Sequence, residues 1–259
     1  MKTFSMLVFA LLASLLVPDN AAALDQAATN ALVKDLDQRR SSTGDYKALI
    51  FIDQKQKDKS DLVYELAFYR REASDRMVIM FMQPKAEAGK GYLRIDKNLF
   101  LYDPAVGRWE RRTERERIGG TNSQRADFDG LKLSEEFTAE FVAEEKLGAF
   151  TVNHIKLKAK PGVDVAHPIL RIWVDKASGN MLKQEEYALS ERLMRTVYYP
   201  KWQTLRSEEK GTDVHFPAEI RIFDEVEKGN RTTMVFRSIE IGALPDNIFT
   251  KAWLESKSR

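Results

Sequence analysis

The 259-residue chain is 43% hydrophobic and 31% charged, and its 41 Lys and Arg are offset by 39 Asp and Glu to a net charge of +2. That balance argues against a dedicated nucleic-acid binder, which needs a basic excess to neutralise phosphates. There is no cysteine, which excludes disulfides, cysteine-ligated zinc and the lipid anchor that a bacterial lipoprotein carries on a cysteine after its cleavage site.

At the N-terminus, Lys2 precedes an apolar run from Phe4 to Val17, and Ala21-Ala22-Ala23 follows. This pattern fits a secretory signal peptide cut after Ala23. The run is shorter than the ~20 residues that span a bilayer, and no later segment is apolar enough to cross one. Residues 1–23 are therefore expected to be removed. Residues 24–259 are expected to form one soluble domain in an exported compartment, the bacterial periplasm, with enough chain to bury a sizeable core.

Asp25 to Arg40 predicts a helix, capped by Asp25, with Ala28, Leu32, Val33 and Leu36 on one stripe. From Tyr46 the period changes to two. Strands are expected at 46–53, 61–72, 75–84, 91–96, 98–104 and 108–113. Asp96-Lys97-Asn98 reads as a hairpin turn. After Gly119-Gly120 a short helix is expected near 127–137. Strands resume at 138–148, 149–160, 168–176, 180–189, 192–202, 215–226 and 232–242, and Pro245-Asp246 opens a last helical turn. Sequential short-turn strands pair antiparallel. The expected class is mainly β with a few α-helices, about 11–12 strands in one strongly curved antiparallel sheet.

Several strands are apolar on both faces. Met77, Ile79 and Phe81 point one way, while Val78, Met80 and Met82 point the other. A sheet with one wet face would alternate cleanly. Two readings remain open: a core packed between sheet and helices, or an apolar cavity for a lipid-like ligand.

Chemistry is sparse. His154, His167 and His215 sit in no zinc pattern. There is no nucleophile elbow, no phosphate-binding loop and no calcium loop. Gly89-Lys90-Gly91 lacks the third glycine of a dinucleotide loop. Glu144-Glu145 and Glu185-Glu186 read as solvated strand positions. No catalytic residue, metal or cofactor is assigned, and no enzymatic activity is expected. An enzyme acting on an apolar substrate would need a polar cluster inside the cavity, which the sequence does not display. The Arg-rich stretch from Arg108 interleaves arginines with glutamates, so its charge is locally neutralised and it makes a poor phosphate surface. It reads either as a salt-bridged strand end with an exposed loop, or as a rim hinged at Gly119-Gly120. In the second reading Phe128, Leu131 and Leu133 close over an apolar cavity, and Arg115 or Arg125 meets a lipid phosphate or an acidic patch.

Three stretches carry a family resemblance. Gly91, Leu93 and Ile95 lead to a hairpin. Phe100, Tyr102 and Pro104 follow, and then Arg108, Arg111 and Arg112. Beyond the glycines comes the Asp127-Phe128 pair. The end of the chain carries Pro245, Asp246, Phe249, Thr250, Leu254 and Glu255. In this order they resemble the outer-membrane lipoprotein-sorting proteins of the LolA-like superfamily. The resemblance implies an unclosed antiparallel β half-barrel whose concave apolar face is covered by helices. It implies a periplasmic carrier that binds acyl chains of lipoproteins or lipids. Its implied partners are an inner-membrane ABC or RND-type exporter and an outer-membrane acceptor, and a monomer is expected. The alternative is a non-carrier accessory or docking subunit of such an exporter. Strand parity nominates Phe51, Tyr64, Phe68, Met80, Met82, Leu93, Ile95, Phe100 and Trp109 for the apolar inner face, with Arg115, Arg125 and Phe128 at the rim or lid. A one-residue slip inverts a strand's two faces.

Overall fold

The computed structural model describes residues 23–41, 44–96, 98–113, 115–129, 132–208 and 211–258. The expected signal peptide lies outside these residues apart from Ala23, as do Lys97 of the expected hairpin turn and Leu131 of the expected flap.

Helix α1 (Gln26–Ser41) comes first. Asp25 does cap it, accepting the Ala28 N–H at 2.7 Å. The helix buries Thr29, Val33 and Leu36, while Ala28 is exposed. Six strands follow: β1 (Asp45–Lys55), β2 (Leu62–Arg71), β3 (Arg76–Gln83), β4 (Gly91–Ile95), β5 (Asn98–Asp103) and β6 (Arg108–Arg112). After a non-strand segment with a short helix α2 (Leu133–Glu136) come seven more: β7 (Phe137–Leu147), β8 (Phe150–Ala159), β9 (Ile169–Asp175), β10 (Met181–Tyr187), β11 (Leu193–Ser207), β12 (Thr212–Asp224) and β13 (Arg231–Ile241). Helix α3 (Lys251–Lys257) ends the chain.

The thirteen strands, slightly more than the sequence count, form one unclosed sheet in the order β6-β5-β4-β3-β2-β1-β13-β12-β11-β10-β9-β8-β7. It consists of two antiparallel meanders, β1 to β6 and β7 to β13, joined where β1 pairs with β13 from Tyr46↔Ile241 to Lys55↔Arg231. The two edges are β6 and β7, consecutive in the chain but at opposite ends of the sheet. Both carry the charges that discourage edge-to-edge pairing: Arg108, Glu110, Arg111 and Arg112 on β6, and Glu140, Glu144, Glu145 and Lys146 on β7. The topology forces residues 113–136 to travel from one edge to the other. We call this segment the strap. No helix among the described residues is long and apolar enough to cross a membrane.

Two apolar cores explain the double-sided strands. In β1 every second residue from Tyr46 to Gln54 is buried. The main core joins Tyr46, Ala48, Ile50 and Ile52 to Leu66 and Phe68 of β2, to Met77, Ile79 and Phe81 of β3, to Ile155, Ile172, Val197, Ile222 and Met234 of the second meander, and to Val33 and Leu36 of α1. A second, smaller core lies on the opposite face. There Val78 and Leu93 pack under Ile248, Phe249 and Leu254 of the C-terminal segment, with Tyr69, Ile95, Tyr102, Trp109 and Trp253 around them. Arg71 fastens this cover, reaching Asp45, Asp246 and the Leu244 carbonyl.

The close approach of that cover depends on Gly91. A Cβ there would stand 2.9 Å from both the Ile79 carbonyl oxygen and Leu254 Cδ1. Gly91→Ala is therefore expected to destabilise the fold by about 1–3 kcal/mol through overpacking against backbone, read as a lower urea midpoint at unchanged slope.

Candidate functional site

The candidate site is the inner face of the sheet together with the strap that lies over it. The strap begins after the edge strand with a 3-10 turn at Ile118–Gly120. Gly119 has φ 60°, and a Cβ there would come within 3.1 Å of the Phe81 and Tyr64 rings. The Tyr64 hydroxyl donates to the Gly119 carbonyl at 2.9 Å. The next residues enter a buried polar pin. The Asn122 N–H donates to Gln54 Oε1 at 2.9 Å and to Thr232 Oγ1 at 3.0 Å, and Thr121, Ser123, Gln54 and Thr232 are all fully or almost fully buried. Arg117 closes the outer side of the pin with Asp224 at 2.8 Å.

At a second 3-10 turn, Arg125–Phe128, the Gln124 N–H donates to Asp127 Oδ2 at 2.7 Å and the Asp127 N–H donates back to the Gln124 carbonyl at 3.0 Å. The turn brings Phe128 down onto Phe68, with ring centroids 5.8 Å apart. The two aspartates flanking Phe128 are clamped by arginines of the sheet. Asp127 takes both contacts from Arg195 Nη2, at 2.7 and 3.0 Å, and Glu186 takes Arg195 Nη1 at 2.8 Å. Asp129 is held by Arg94, with Arg70 at 3.4 Å and Arg125 at 3.0 Å, while Asp75 bridges Arg70 and Arg94. Helix α2 closes the strap. The Leu133 and Ser134 N–H groups donate to the Asp37 carboxylate of α1 at 2.8 and 2.7 Å.

These charges are expensive to bury and are retained because each has a partner. Burial raises the Asp127 carboxyl above its ordinary value, against the pull of Arg195. At Asp75 the balance goes the other way: burial would raise it, but Arg70 and Arg94 hold it below the ordinary carboxylate value. Burial lowers the His167 imidazole despite Glu186, 3.0 Å away. Desolvation opposes the Arg195 charge, and Asp127 and Glu186 more than restore it.

A cavity of about 180 Å³ lies beneath the strap, between strap residues 125–129 and 132–136, Phe137 of β7, the loop 164–167, and β9, β10 and β11. Its wall is mixed: Arg94, Arg125, Lys132, Arg195, Asp127, Asp129, Glu136 and Glu186 stand beside Leu133, Phe137, Val165 and Leu170. This corrects two expectations. The inner face does not enclose a long greasy cavity in this conformation, because Ile118, Phe128, Leu133, Val33 and Leu36 fill the space over it. A polar cluster does exist under the strap, and Glu186, read from the sequence as solvated, is one of its most buried members.

The nominated residues divide by face. Tyr64 and Phe68 belong to the inner core. Leu93, Ile95 and Trp109 pack in the outer core under the C-terminal segment, and Lys251 of that segment lies over the Phe100 ring. Met80 and Met82 share the parity of Val78, on the outer face. Phe51 lies between the inward Ile50 and Ile52, with the Arg237 guanidinium over its outward ring. Seven of the nine thus sit on the face opposite to the one expected, and the cause is the second core: with both faces apolar, hydrophobicity cannot choose between them. Of the rim residues, Phe128 is part of the core, Arg125 lines the cavity, and Arg115 is exposed, 4.0 Å from Asp164. Sequence reasoning missed Arg195, Glu186 and His167. A signal for one pair existed, since the β10–β11 hairpin register sets Glu186 directly opposite Arg195.

The model of a family of uncharacterized proteins matches residues 73–256. No curated protein matches the chain. Three solved structures share the architecture. A LolA superfamily protein from Nitrosomonas europaea aligns with TM-score 0.73 at 18% identity, covering 87% of this chain and 98% of that one. An outer membrane lipoprotein-sorting protein domain from Vibrio parahaemolyticus aligns with TM-score 0.77 at 17% identity, covering 89% and 100%. A DUF1329 family protein from Desulfovibrio piger aligns with TM-score 0.78 at 17% identity, covering 88% and 98%. The chain belongs to the family whose model spans residues 73–256, and its open thirteen-stranded sheet is the fold of the LolA-like lipoprotein-sorting proteins.

Proposed function

We propose that the protein is a periplasmic carrier that binds acyl chains of lipoproteins or lipids against the inner face of its sheet. It passes them from an inner-membrane ABC or RND-type exporter to an outer-membrane acceptor. The observation that carries this reading is the make-up of the strap. Among the described residues its buried apolar side chains are Ile118, Phe128 and Leu133, packed on the inner core, and it is otherwise fastened by polar and ionic contacts. Exposing those three side chains costs about 5–9 kcal/mol, and an acyl chain of about a dozen methylenes contributes about 10 kcal/mol on burial, so a fatty chain can compete with the strap for the same surface. The carrier is then a two-state device, closed over its own side chains when empty and open when loaded.

The filled inner face also favours a second reading, a docking subunit of an exporter that never opens. The experiment that separates them is native mass spectrometry of protein purified from cell extract, with uptake of a fluorescent fatty-acyl probe by the stripped protein. The carrier reading expects a bound acylated species and saturable uptake. A clean unliganded mass together with no uptake overturns it. A stable complex with a membrane transporter that is indifferent to lipid supports the docking subunit.

A further inference from the structure

We infer that the cavity beneath the strap is a binding site for the ammonium head of an amphiphile, seated against Glu136 and Gln184. That the ammonium belongs to an amphiphile rests on the carrier reading; the preference for an ammonium does not. Three observations carry it. The first is size: about 180 Å³ has room for about six water-sized groups, which suits a small headgroup and excludes an acyl tail. The second is the pairing of charge around the wall. Each lining cation already faces a carboxylate: Arg94 meets Asp75 and Asp129, Arg125 meets Asp129, Lys132 meets Asp75, and Arg195 meets Asp127 and Glu186. Glu136 is different. Its half-buried carboxylate lines the cavity with no ion-pair or hydrogen-bond partner among the described residues. An anion entering here would meet no spare cation and one spare carboxylate.

The third is an unmet acceptor on the opposite wall. Gln184 spends its amide N–H on Glu186 at 2.9 Å, and its Oε1 is buried without a donor. A carboxylate and an amide oxygen, both lacking donors and both lining one cavity, suit a group that brings several N–H donors and a positive charge. Burial supports this assignment by raising the Glu136 carboxyl above its ordinary value, with Lys132 pulling it down. A cation beside it would relieve that desolvation. Arg195 Nε is buried without an acceptor, and an oxygen next to the ammonium, as in an amino alcohol, would meet it. Leu133, Phe137, Val165 and Leu170 supply apolar wall for the carbons that follow the head.

The test uses three twelve-carbon probes below their micellar concentrations, dodecylammonium, laurate and dodecanol, competing against a fluorescent acyl probe on the mature chain. Ethanolamine alone is followed by thermal shift. The expectation is that dodecylammonium binds at least tenfold tighter than laurate, and that Glu136→Gln removes this margin while leaving dodecanol affinity unchanged. Gln184→Met is the second variant and should narrow the margin without touching the charge at Glu136. Equal or tighter binding of laurate overturns the inference, as does a margin that survives in both variants. If no twelve-carbon probe binds but ethanolamine raises the melting temperature in a Glu136-dependent way, the ammonium site stands and the carrier reading falls. If all three probes bind equally, the reverse holds. If nothing binds, both fall.

Discussion

Arg195→Met is expected to destabilise the fold by about 3–5 kcal/mol, the range for removing one partner of a buried ion pair. Arg195 is 6% exposed and is the shared cation of Asp127 and Glu186, so the variant leaves two buried carboxylates facing each other. The sign of the pH dependence follows. Without Arg195 the Asp127 carboxyl, which burial already raises in the native protein, rises further above its unfolded value. A raised folded pKa contributes stability at low pH that is lost as pH rises through it. The deficit is therefore smallest below about pH 4 and grows toward neutrality. Urea unfolding at a series of pH values checks this. Replacing all three members by Arg195→Met, Asp127→Asn and Glu186→Gln should recover much of the loss, because no buried charge is then left unpaired. Arg115→Ala, at an exposed position with Asp164 4.0 Å away, should change stability by less than about 1 kcal/mol.

Phe128→Ala carries the second large effect, and it acts in opposite directions on two measurements. Phe128 is the strap's aromatic anchor against Phe68, and its truncation should cost about 3–5 kcal/mol of stability. The same change weakens the closed state against the open one. If strap and acyl chain compete for the inner face, acyl-probe affinity should rise by at least tenfold, since a ligand that selects the open state gains whatever opening no longer costs. Titration of the fluorescent probe on wild type and variant decides it. A variant that is less stable and binds the probe no more tightly would separate strap opening from ligand binding, and the carrier mechanism would lose its gate.

Local reading reached the elements with little error. The Asp25 cap, the alternation in Tyr46 to Asp53 and the run of short-turn strands depend on neighbours in the chain, and the structure places helix and strands there. The family resemblance supplied the open curved sheet, and the observed strand order is that of such a sheet. Where local reading failed, the cause was a partner distant in sequence. Ala28 looks like part of the buried stripe of α1, but the sheet and α2 take the face that carries Thr29 instead. Glu186 looks solvated until Arg195 is placed opposite it.

The sequence by itself determined an antiparallel β protein without cysteine chemistry, its strand succession and an interruption near Gly119-Gly120, because side-chain alternation and turn residues are properties of adjacent positions. Only the tertiary structure decided which face of each strand looks inward. The C-terminal residues from Leu244 make the outside of β2 to β6 as apolar as the inside, which erases the pattern that would have revealed it. It also decided that the strap closes on an ionic clamp, since Asp127 and Arg195, 68 residues apart, are brought together by the sheet and by nothing in their local sequence.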